Sequence, residues 1–260
     1  MTVDGTALVT GGSAGIGAAL ADEFAAHGHD LVLVARGEDR LHEVADSLAA
    51  DHGVETHVLV QDLSERDAAA TLHRTTRDRD LRVDVLVNNA GIGVQGAFIE
   101  NDLARERDVV QVNVATPAEL THRFGGEMAA RGSGGILNVA SSAAWFPGPY
   151  MASYYASKAY LKNFSEALAE ELRPEGVTVT ALCPGPVETE FQKRAGNMDT
   201  PLGSGDLQDV EAVAAAGYEG LQAGRAVVVP GWKYRALTRV SNVLPNAFTR
   251  KRAKDLNTPD

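Results

Sequence analysis

The chain has 260 residues, of which 44% are hydrophobic and 23% charged, a composition typical of a globular protein with a substantial core. Its 35 acidic and 24 basic side chains leave a formal charge of −11, which argues against a surface that binds nucleic acid over the whole molecule. The single cysteine, Cys183, excludes an internal disulfide framework and a cysteine-based zinc cluster, and it fits a reducing compartment.

The sequence shows neither the apolar run of a membrane-spanning helix nor the features of a signal peptide. No apolar run approaches the roughly 18 residues of a membrane-spanning helix. The first residues lack the positive start and apolar stretch of a signal peptide and turn into strand-like sequence at Ala7. We therefore expect a cytoplasmic protein with no transmembrane segment, no nucleic-acid partner and no bound metal.

Short apolar runs alternate with helical patterns along most of the chain. The runs that predict buried strands are Ala7–Thr10, Leu31–Ala35, Val58–Val60, Val83–Val87, Ile136–Ala140, Val177–Cys183 and Ala226–Val229. The segments that predict helices are Ile16–His27 and residues 38–51, 65–79, 102–130, 154–172 and 209–222. Continuous apolar strands with helical spacers indicate βαβ units, so we predict an α/β fold whose parallel sheet is covered on both faces.

Neither a repeat nor a low-complexity linker divides the sequence, so we predict a single domain over residues 1–260. Residues 190–208 are rich in Gly, Pro, Ser, Asp and Asn, which is typical of a long irregular lid or binding loop. We assign the region of about 190–222 to a variable substrate loop.

A glycine-rich turn joins the first predicted strand to the first helix. It reads Thr10-Gly11-Gly12-Ser13-Ala14-Gly15-Ile16-Gly17. Glycine permits positive φ angles and a close approach to the backbone, and the helix that follows offers free N–H groups to a diphosphate. The spacing departs from G-x-G-x-x-G, and a simple strand-to-helix turn is the alternative. The preceding strand and following helix favour a dinucleotide site.

The residue after the second predicted strand bears on the choice of dinucleotide. A free ribose 2′-hydroxyl is usually held there by an acidic side chain, whereas a 2′-phosphate is bound by a guanidinium. The strand ends in Val34-Ala35-Arg36, and Arg40 follows one helical turn later. We predict NADP(H) rather than NAD(H); the alternative is that Arg36 is only a solvated surface arginine.

Further motifs follow in order along the chain. Asn88-Asn89-Ala90-Gly91 comes after the fourth predicted strand, and Ser141 lies thirteen residues before Tyr154. Tyr154 and Lys158 are four residues apart, which puts both on one face of a helix, and Pro184-Gly185 follows the sixth strand. Together with the glycine-rich turn, these motifs resemble the short-chain dehydrogenase/reductase family from residue 10 to about 190. The resemblance implies a Rossmann-like, doubly wound parallel sheet of about seven strands in three α/β/α layers.

The resemblance also implies a hydride-transferring site built on four side chains. Tyr154 would be the general acid/base, and because an ordinary phenol has a pKa of about 10, Lys158 would supply the adjacent cation that it needs. Ser141 would donate a hydrogen bond to the substrate oxygen. Asn113 matches the family's asparagine that holds a water in the proton relay, and a helix hydrogen bond or kink without catalytic meaning is the alternative.

Two neighbouring residues compete for these roles. Ser142 is also a hydroxyl, but the interval of thirteen residues favours Ser141. Tyr155 has alanine, not lysine, four residues further on, so we interpret it as a helix-packing aromatic rather than a substrate contact.

By the same resemblance, the cofactor would contact six groups of residues. The glycine-rich turn contributes Gly11, Ser13, Ala14, Gly15, Ile16 and Gly17, and Arg36 follows the second strand. Asp62 and Leu63 would meet the adenine. Asn89, Ala90 and Gly91 would pass under the adenosine ribose, although Asn89 could equally be structural. Tyr154 and Lys158 would face the nicotinamide ribose, and the carboxamide and diphosphate would be held by Pro184, Gly185, Val187 and Thr189.

Large side chains fill the segment between Ser141 and Tyr154. Trp145, Phe146 and Tyr150 lie on a stretch whose two ends are held at the catalytic centre. Some of them should face the substrate, which favours a fairly apolar carbonyl or secondary alcohol over a charged sugar. Packing in a core or a subunit interface is an equal alternative.

The carboxyl-terminal segment, residues 232–260, differs in charge from the rest. Its seven basic and two acidic residues give a local charge of about +5. The apolar residues near helical spacing are Trp232, Tyr234, Leu237, Val240 and Leu244. We predict an amphipathic helix with its apolar side on the protein; covering the substrate cleft, joining a subunit interface and contacting an anionic surface are the alternatives.

These features predict an NADP(H)-dependent ketone reductase or alcohol dehydrogenase that acts on a small-molecule substrate, and by analogy with the family we expect a homodimer or homotetramer. A non-catalytic sensor or scaffold that binds the nucleotide is the competing class, but it has no need of all four catalytic side chains. An epimerase or dehydratase on a nucleotide sugar shares the Tyr/Lys pair, but it usually carries a longer carboxyl-terminal domain than follows Pro184 here.

Overall fold

The computed structural model of the chain describes residues 3–196, 200, 207–241 and 246–258. Within these ranges the strands are β1 (Ala7–Thr10), β2 (Leu31–Ala35), β3 (Thr56–Val60), β4 (Val85–Asn88), β5 (Gly134–Val139), β6 (Val177–Leu182) and β7 (Val227–Val228). The α-helices are α1 (Gly15–Ala26), α2 (Glu38–His52), α3 (Ala68–Asp78), α4 (Leu103–Val110), α5 (Thr116–Arg131), α6 (Ala152–Leu172), α7 (Phe191–Ala195), α8 (Val210–Gln222), α9 (Trp232–Ser241) and α10 (Asn246–Asn257).

The described strands form one parallel sheet in the order β3-β2-β1-β4-β5-β6-β7. The chain builds outward from β1 to β3, crosses back over the sheet, and then builds outward from β4 to β7. This is the Rossmann-like, doubly wound arrangement, so the predicted fold class is confirmed.

Alternate residues of each strand pack against helices on opposite faces of the sheet. In β1, Ala7 and Val9 belong to a core cluster with residues of α1, α2 and α8. Leu8 belongs to a second cluster with residues of α3 and α5. Because both faces are covered, the central strands are largely apolar, which is why they are recognisable as continuous runs.

The carboxyl ends of the strands all lie at one edge of this sheet. The winding direction reverses between β1 and β4, and a ligand of such a sheet binds in the crevice outside that reversal. The predicted site motifs begin at these strand ends, namely Gly11 after β1, Arg36 after β2, Asn89 after β4, Ser141 after β5 and Pro184 after β6.

The helix predicted over 102–130 is interrupted. A π-helical turn, Gln111–Ala115, separates α4 from α5. Pro117 lies in the first turn of α5 and has no N–H to donate to the carbonyl of Asn113, four residues earlier. An unbroken α-helix therefore lacks a hydrogen bond at this point, and the π-helical turn accommodates the proline.

The segment predicted as irregular over 190–208 contains helix α7, so that prediction is wrong for residues 191–195. At its far end Gln208 forms a bridge with Val187 and begins the return to α8. Residues 197–199 and 201–206 lie outside the described part of the chain.

The carboxyl-terminal segment forms two helices, and the predicted orientation of the first is wrong. Three apolar side chains of α9 face outward: Trp232 is 75% exposed, Leu237 46% and Val240 49%. The inward face holds Tyr234 and the buried Thr238 instead, because the Tyr234 ring packs directly on Gly185. Leu244 lies outside the described residues. None of the described helices has the length and hydropathy needed to cross a bilayer.

Candidate active site

The glycine-rich turn forms a cradle at the start of α1. Gly11 and Gly15 have φ angles of +67° and +54°, which favour glycine, and a Cβ on Gly17 would lie 2.2 Å from the carbonyl oxygen of Gly11. Ala14 caps α1 without a side-chain hydrogen bond, and the first turn has no acidic residue. The helix N–H groups thus lack a side-chain acceptor, which fits the diphosphate of a dinucleotide.

Backbone and side-chain bonds from the end of β4 brace this cradle. The Asn89 side-chain amide donates to the carbonyl oxygen of Thr10 at 2.8 Å and to that of Gly11 at 3.3 Å. The Thr10 hydroxyl accepts hydrogen bonds from the backbone N–H groups of Asn89, at 3.0 Å, and Ala90, at 3.1 Å. The side-chain bonds of Asn89 therefore match its structural alternative. Nearby, Ser13 is partly buried, and Ile16 packs its side chain against the α1 core.

The segment after β6 lies over the same cradle. A Cβ on Gly15 would be 3.0 Å from the Thr189 methyl carbon, so two residues 174 positions apart in the sequence meet at the first turn of α1. The Pro184 carbonyl accepts a hydrogen bond from Ser142 N–H at 2.7 Å, and Gly185 N–H donates to Gln208 Oε1 at 2.7 Å. Val187 differs from the others because its side chain is buried in the core.

Arg36 and Asp62 lie together at the far end of the crevice. Their side chains form an ion pair at 3.8 Å, in which Arg36 is largely exposed. Partial burial of Asp62 opposes its ionisation, but hydrogen bonds from the Ser64 N–H and hydroxyl, with the charge of Arg36, outweigh it and lower the pKa of Asp62. Leu63 is buried in the core cluster beneath. A guanidinium at this place fits a ribose phosphate.

Ser141 and Tyr154 meet at the carboxyl end of β5. The Ser141 side chain caps the 3₁₀ turn Ser142–Trp145 by accepting from Ala143 N–H at 3.1 Å. Its hydroxyl also lies beside the Tyr154 phenol. Burial raises the pKa of Tyr154 to about 12, and the Ser141 hydroxyl works against this rise. Tyr154 is therefore a protonated, neutral phenol at neutral pH.

Lys158 lies one turn further along α6. Its buried ammonium donates a hydrogen bond to the Val139 carbonyl, at the end of β5, at 2.7 Å. The Nζ atom is 5.8 Å from the centroid of the Tyr154 ring. Burial lowers the pKa of Lys158 to about 8, so the side chain is still mostly charged at neutral pH. A Cβ on Gly91 would lie 3.2 Å from Nζ, which brings the end of β4 to the same point.

Asn113 lies in the π-helical turn and is buried beside this group. Its Nδ2 donates to the Ile92 carbonyl and to the Ser157 hydroxyl, each at 2.9 Å, and its Oδ1 accepts from the Ile92 N–H at 2.9 Å. The side chain thus ties the segment after β4 to helix α6, next to Lys158. Both Nδ2 hydrogens have protein partners, which supports a positioning part for this amide.

An apolar wall stands against Tyr154. Met151, Tyr155 and Ala195 form a buried cluster on which Phe146 and Phe191 pack, and the Phe191 ring centroid is 5.2 Å from that of Tyr154. We call these five residues the substrate wall. The neighbouring aromatics Trp145 and Phe146, which the sequence did not distinguish, pack in different places. Phe146 belongs to the substrate wall, whereas Trp145 packs with the cluster around Ala140 and Leu161.

Three residues near this site were missed by sequence reasoning. Phe191 follows Thr189 by two residues, which was its available signal. Gln95 and Asn257 hydrogen-bond each other next to Tyr155. Asn257 lies in a segment that the sequence marks only by its charge and apolar spacing, and neither property identifies a buried asparagine.

The chain matches a family model described as short chain dehydrogenase over residues 5–200. It is 32% identical over 254 residues to 7beta-hydroxysteroid dehydrogenase of Clostridium sardiniense, a match that covers 97% of this chain and 90% of that protein. It is 34% identical over 188 residues to the human (Homo sapiens) inactive hydroxysteroid dehydrogenase-like protein 1, covering 71% of this chain but only 56% of that protein. Among solved structures, a short-chain dehydrogenase from Sphingobium yanoikuyae in complex with NADPH superposes with a TM-score of 0.82 at 31% identity, covering 92% of this chain and 94% of that one.

Proposed function

The chain belongs to the short-chain dehydrogenase family and is an NAD(P)-dependent oxidoreductase, and on that basis we propose that it is an NADP(H)-dependent reductase of fairly apolar ketones, or in reverse a dehydrogenase of the matching secondary alcohols. The observation that carries the proposal is the Tyr154 phenol, which lies beside the Ser141 hydroxyl and the Lys158 ammonium and packs against the substrate wall.

Three groups of residues would hold the cofactor. The cradle of Gly11, Gly15 and Gly17 would take the diphosphate, with Thr189 on its open side. Arg36 would bind the ribose 2′-phosphate, and Asp62 would keep that guanidinium in place. Lys158 would lie at the nicotinamide end, and we move Gly91 there from the adenosine ribose because a Cβ on Gly91 would be 3.2 Å from the Lys158 Nζ. When bound, the nicotinamide supplies or accepts the hydride.

The chain's own side chains manage the proton. In the reducing direction the Tyr154 hydroxyl gives its proton to the substrate oxygen as that oxygen becomes an alkoxide. Ser141 donates a hydrogen bond to the same oxygen and stabilises its developing charge. The phenolate that remains on Tyr154 is favoured by the nearby Lys158 ammonium. The substrate wall excludes water from this exchange and favours an apolar substrate.

The competing function is that of a nucleotide-binding protein without turnover. It is favoured by the similarity to a human protein whose name calls it inactive. The presence of Ser141, Tyr154, Lys158 and Asn113 in one cluster supports the enzyme instead, because a binding protein does not need an acid, its cation and an oxygen donor together.

Steady-state oxidation of NADPH and NADH over a panel of ketones tests the proposal. The panel includes steroid ketones, because one relative is named a hydroxysteroid dehydrogenase, and a charged keto sugar as a contrast. We expect turnover of apolar ketones with NADPH. Tyr154→Phe should lower kcat by about 10²–10⁴ while NADPH binding, followed by fluorescence, is retained.

Tyr160→Phe is the matched control, since Tyr160 is an exposed aromatic on the same helix. It should leave kcat within about twofold, as expected for a surface change. Full turnover by Tyr154→Phe would contradict the catalytic assignment. NADPH binding without turnover across the whole panel would favour the binding protein.

We also propose a single cytoplasmic domain that assembles as a homodimer or homotetramer. The exposed apolar residues Phe98, Ile99 and Leu103 support an interface between copies, because contiguous apolar side chains at a surface usually mark an interaction site. Light scattering coupled to gel filtration measures the assembly, and a monomer at micromolar concentration would contradict it.

A further inference from the structure

One face of helix α10 is buried against the substrate side of the site. Asn257 is 0% exposed, and Ala253, one turn earlier on the same face, is also buried. The four basic residues of this helix are exposed on its other faces, at positions 250, 251, 252 and 254. Because a buried amide is costly unless it is hydrogen-bonded, the partners of Asn257 show what holds this helix in place.

Asn257 bonds to three separate parts of the chain. Its Oδ1 accepts from the Tyr155 hydroxyl at 3.2 Å, and its Nδ2 donates to the Pro149 carbonyl at 3.0 Å. Its backbone carbonyl accepts from the Gln95 side-chain amide at 2.5 Å. One residue of α10 therefore joins helix α6, the segment between Ser141 and α6, and the segment after β4.

The same three parts are bonded to one another around the substrate wall. Gly96 N–H donates to the Tyr150 carbonyl at 2.9 Å, and Gln95 N–H donates to the carbonyl of Ala195, a wall residue, at 3.1 Å. The Tyr155 ring lies 6.0 Å from the Tyr154 ring, measured between centroids. Asn257 closes this circuit of bonds, because it alone among the described residues of α10 bonds to Tyr155, Pro149 and Gln95 together.

We propose that Asn257 is a positioning residue for the reaction: it fixes Tyr155 and the 146–151 segment, and with them the substrate wall next to Tyr154. This inference rests on the proposed function. The hydrogen bonds of Asn257 reach no residue that we assign to the cofactor, so its effect falls on the ketone rather than on NADPH.

Kinetic constants of four single variants test the inference. Asn257→Ala removes both amide bonds and should raise KM for the ketone about tenfold, with KM for NADPH within about threefold of the wild type. Asn257→Asp keeps the acceptor for Tyr155 but loses the donor to Pro149, and should restore part of the loss. Tyr155→Phe removes only one bond and should raise the ketone KM about threefold. Lys254→Ala, an exposed change on the same helix, is the matched control and should have no effect.

The double variant Asn257→Ala/Tyr155→Phe separates a shared bond from two independent effects. If Asn257 acts through Tyr155, the double variant should be no worse than Asn257→Ala, because the bond is already lost. If the increases in the ketone KM of the two single variants instead multiply in the double variant, the Tyr155 part of the proposal is contradicted. The pH profile of kcat/KM should keep its shape in every variant, since Lys158 is untouched.

Hydrogen exchange gives a readout that needs no turnover. In Asn257→Ala, peptides covering residues 93–97 and 146–156 should exchange faster, and those covering residues 11–18 should not. If no ketone is turned over by the wild type, the proposed function fails, and exchange alone decides the positioning role. Unchanged exchange, or equal acceleration throughout the chain, would overturn the inference. If Asn257→Ala does not fold, Tyr155→Phe decides it by the same comparison of peptides.

Discussion

Tyr154 and Lys158 lie one helical turn apart in α6, and burial shifts their pKa values in opposite directions. It raises the pKa of the phenol to about 12 and lowers that of the ammonium to about 8. Each shift has the same cause, since burial disfavours whichever form is charged. At neutral pH the pair thus holds a neutral phenol, which is the form that can protonate a ketone, beside a lysine that is still charged.

The depressed pKa of Lys158 predicts the pH dependence of ketone reduction. Because the lysine loses its proton as the pH rises through about 8, the phenolate left on Tyr154 loses its stabilising cation there. We expect kcat/KM for the ketone to be level near pH 7 and to fall above about pH 8. Lys158→Arg, which stays charged in this range, should move any remaining fall to higher pH. A profile that stays level to pH 10 in the wild type would contradict this assignment.

Arg36 offers a second prediction, on cofactor choice. Arg36→Gln should lower kcat/KM for NADPH by about 10–100-fold, because a charge-assisted bond to the 2′-phosphate is lost, and should change that for NADH by less than about threefold. Arg40→Gln is the matched control, since Arg40 is paired with Glu190 at 3.3 Å. If Arg40→Gln lowers kcat/KM for NADPH more than Arg36→Gln does, Arg40 and not Arg36 binds the 2′-phosphate.

At the level of the elements, two irregular backbones shape the site. The π-helical turn at Gln111–Ala115 places Asn113 against Ile92 and Ser157. The glycine-rich turn brings the start of α1 close to the end of β4, where a Cβ on Gly17 would lie 2.3 Å from the Asn89 amide nitrogen. The π-helical turn accommodates Pro117, and the glycine-rich turn needs glycine at position 17.

Gly17 allows a test of that need. Gly17→Ala should lower the free energy of unfolding by about 1–3 kcal/mol and weaken NADPH binding, because its Cβ would meet backbone at 2.2 Å. Gly126→Ala is the control: it lies in α5 with open space around it, and should stabilise the protein by up to about 1 kcal/mol. Denaturant unfolding measures both. A neutral Gly17→Ala would mean that the turn can relax.

Helix α9 shows how packing overrides an amphipathic pattern. Its apolar residues Trp232, Leu237 and Val240 face outward because the Tyr234 ring packs on Gly185 on the opposite side of the helix. Hydrophobic spacing identified a helix in this region, but it did not identify the side that packs.

For the whole molecule, the cofactor residues come from both halves of the doubly wound sheet. Gly15 and Thr189 are in contact, and Asn89 bonds to Thr10, so a bound dinucleotide would bridge segments that follow β1, β4 and β6. Binding to the folded form alone must then stabilise the entire sheet.

Thermal unfolding measures this linkage. NADPH at about 100 times its Kd should raise Tm by about 5–10 °C, from the roughly 2.7 kcal/mol that such an excess contributes in a domain of this size. NADH at the same concentration should raise it less, because Arg36 would have no phosphate to bind. Equal shifts with both cofactors would contradict the preference for NADP(H).

Local patterns were enough to locate the strands in the described part of the chain and the motif positions around the crevice, and the family resemblance implied the layer order. Apolar continuity marks a strand buried on both faces, and the turn residues at strand ends are read from neighbours in sequence. Tyr154 and Lys158 are found in this way because they lie one helical turn apart, and Ser141 is found from its interval of thirteen residues before Tyr154.

The tertiary structure alone decided which other side chains join them. Gln95 and Asn257 are separated by 162 residues, and Phe191 reaches Tyr154 from a segment without regular spacing. Trp145 and Phe146 are adjacent and equally apolar, yet they pack in different clusters. Such contacts depend on how the layers close over one another, and periodicity carries no information on that because it records only which face of an element is apolar.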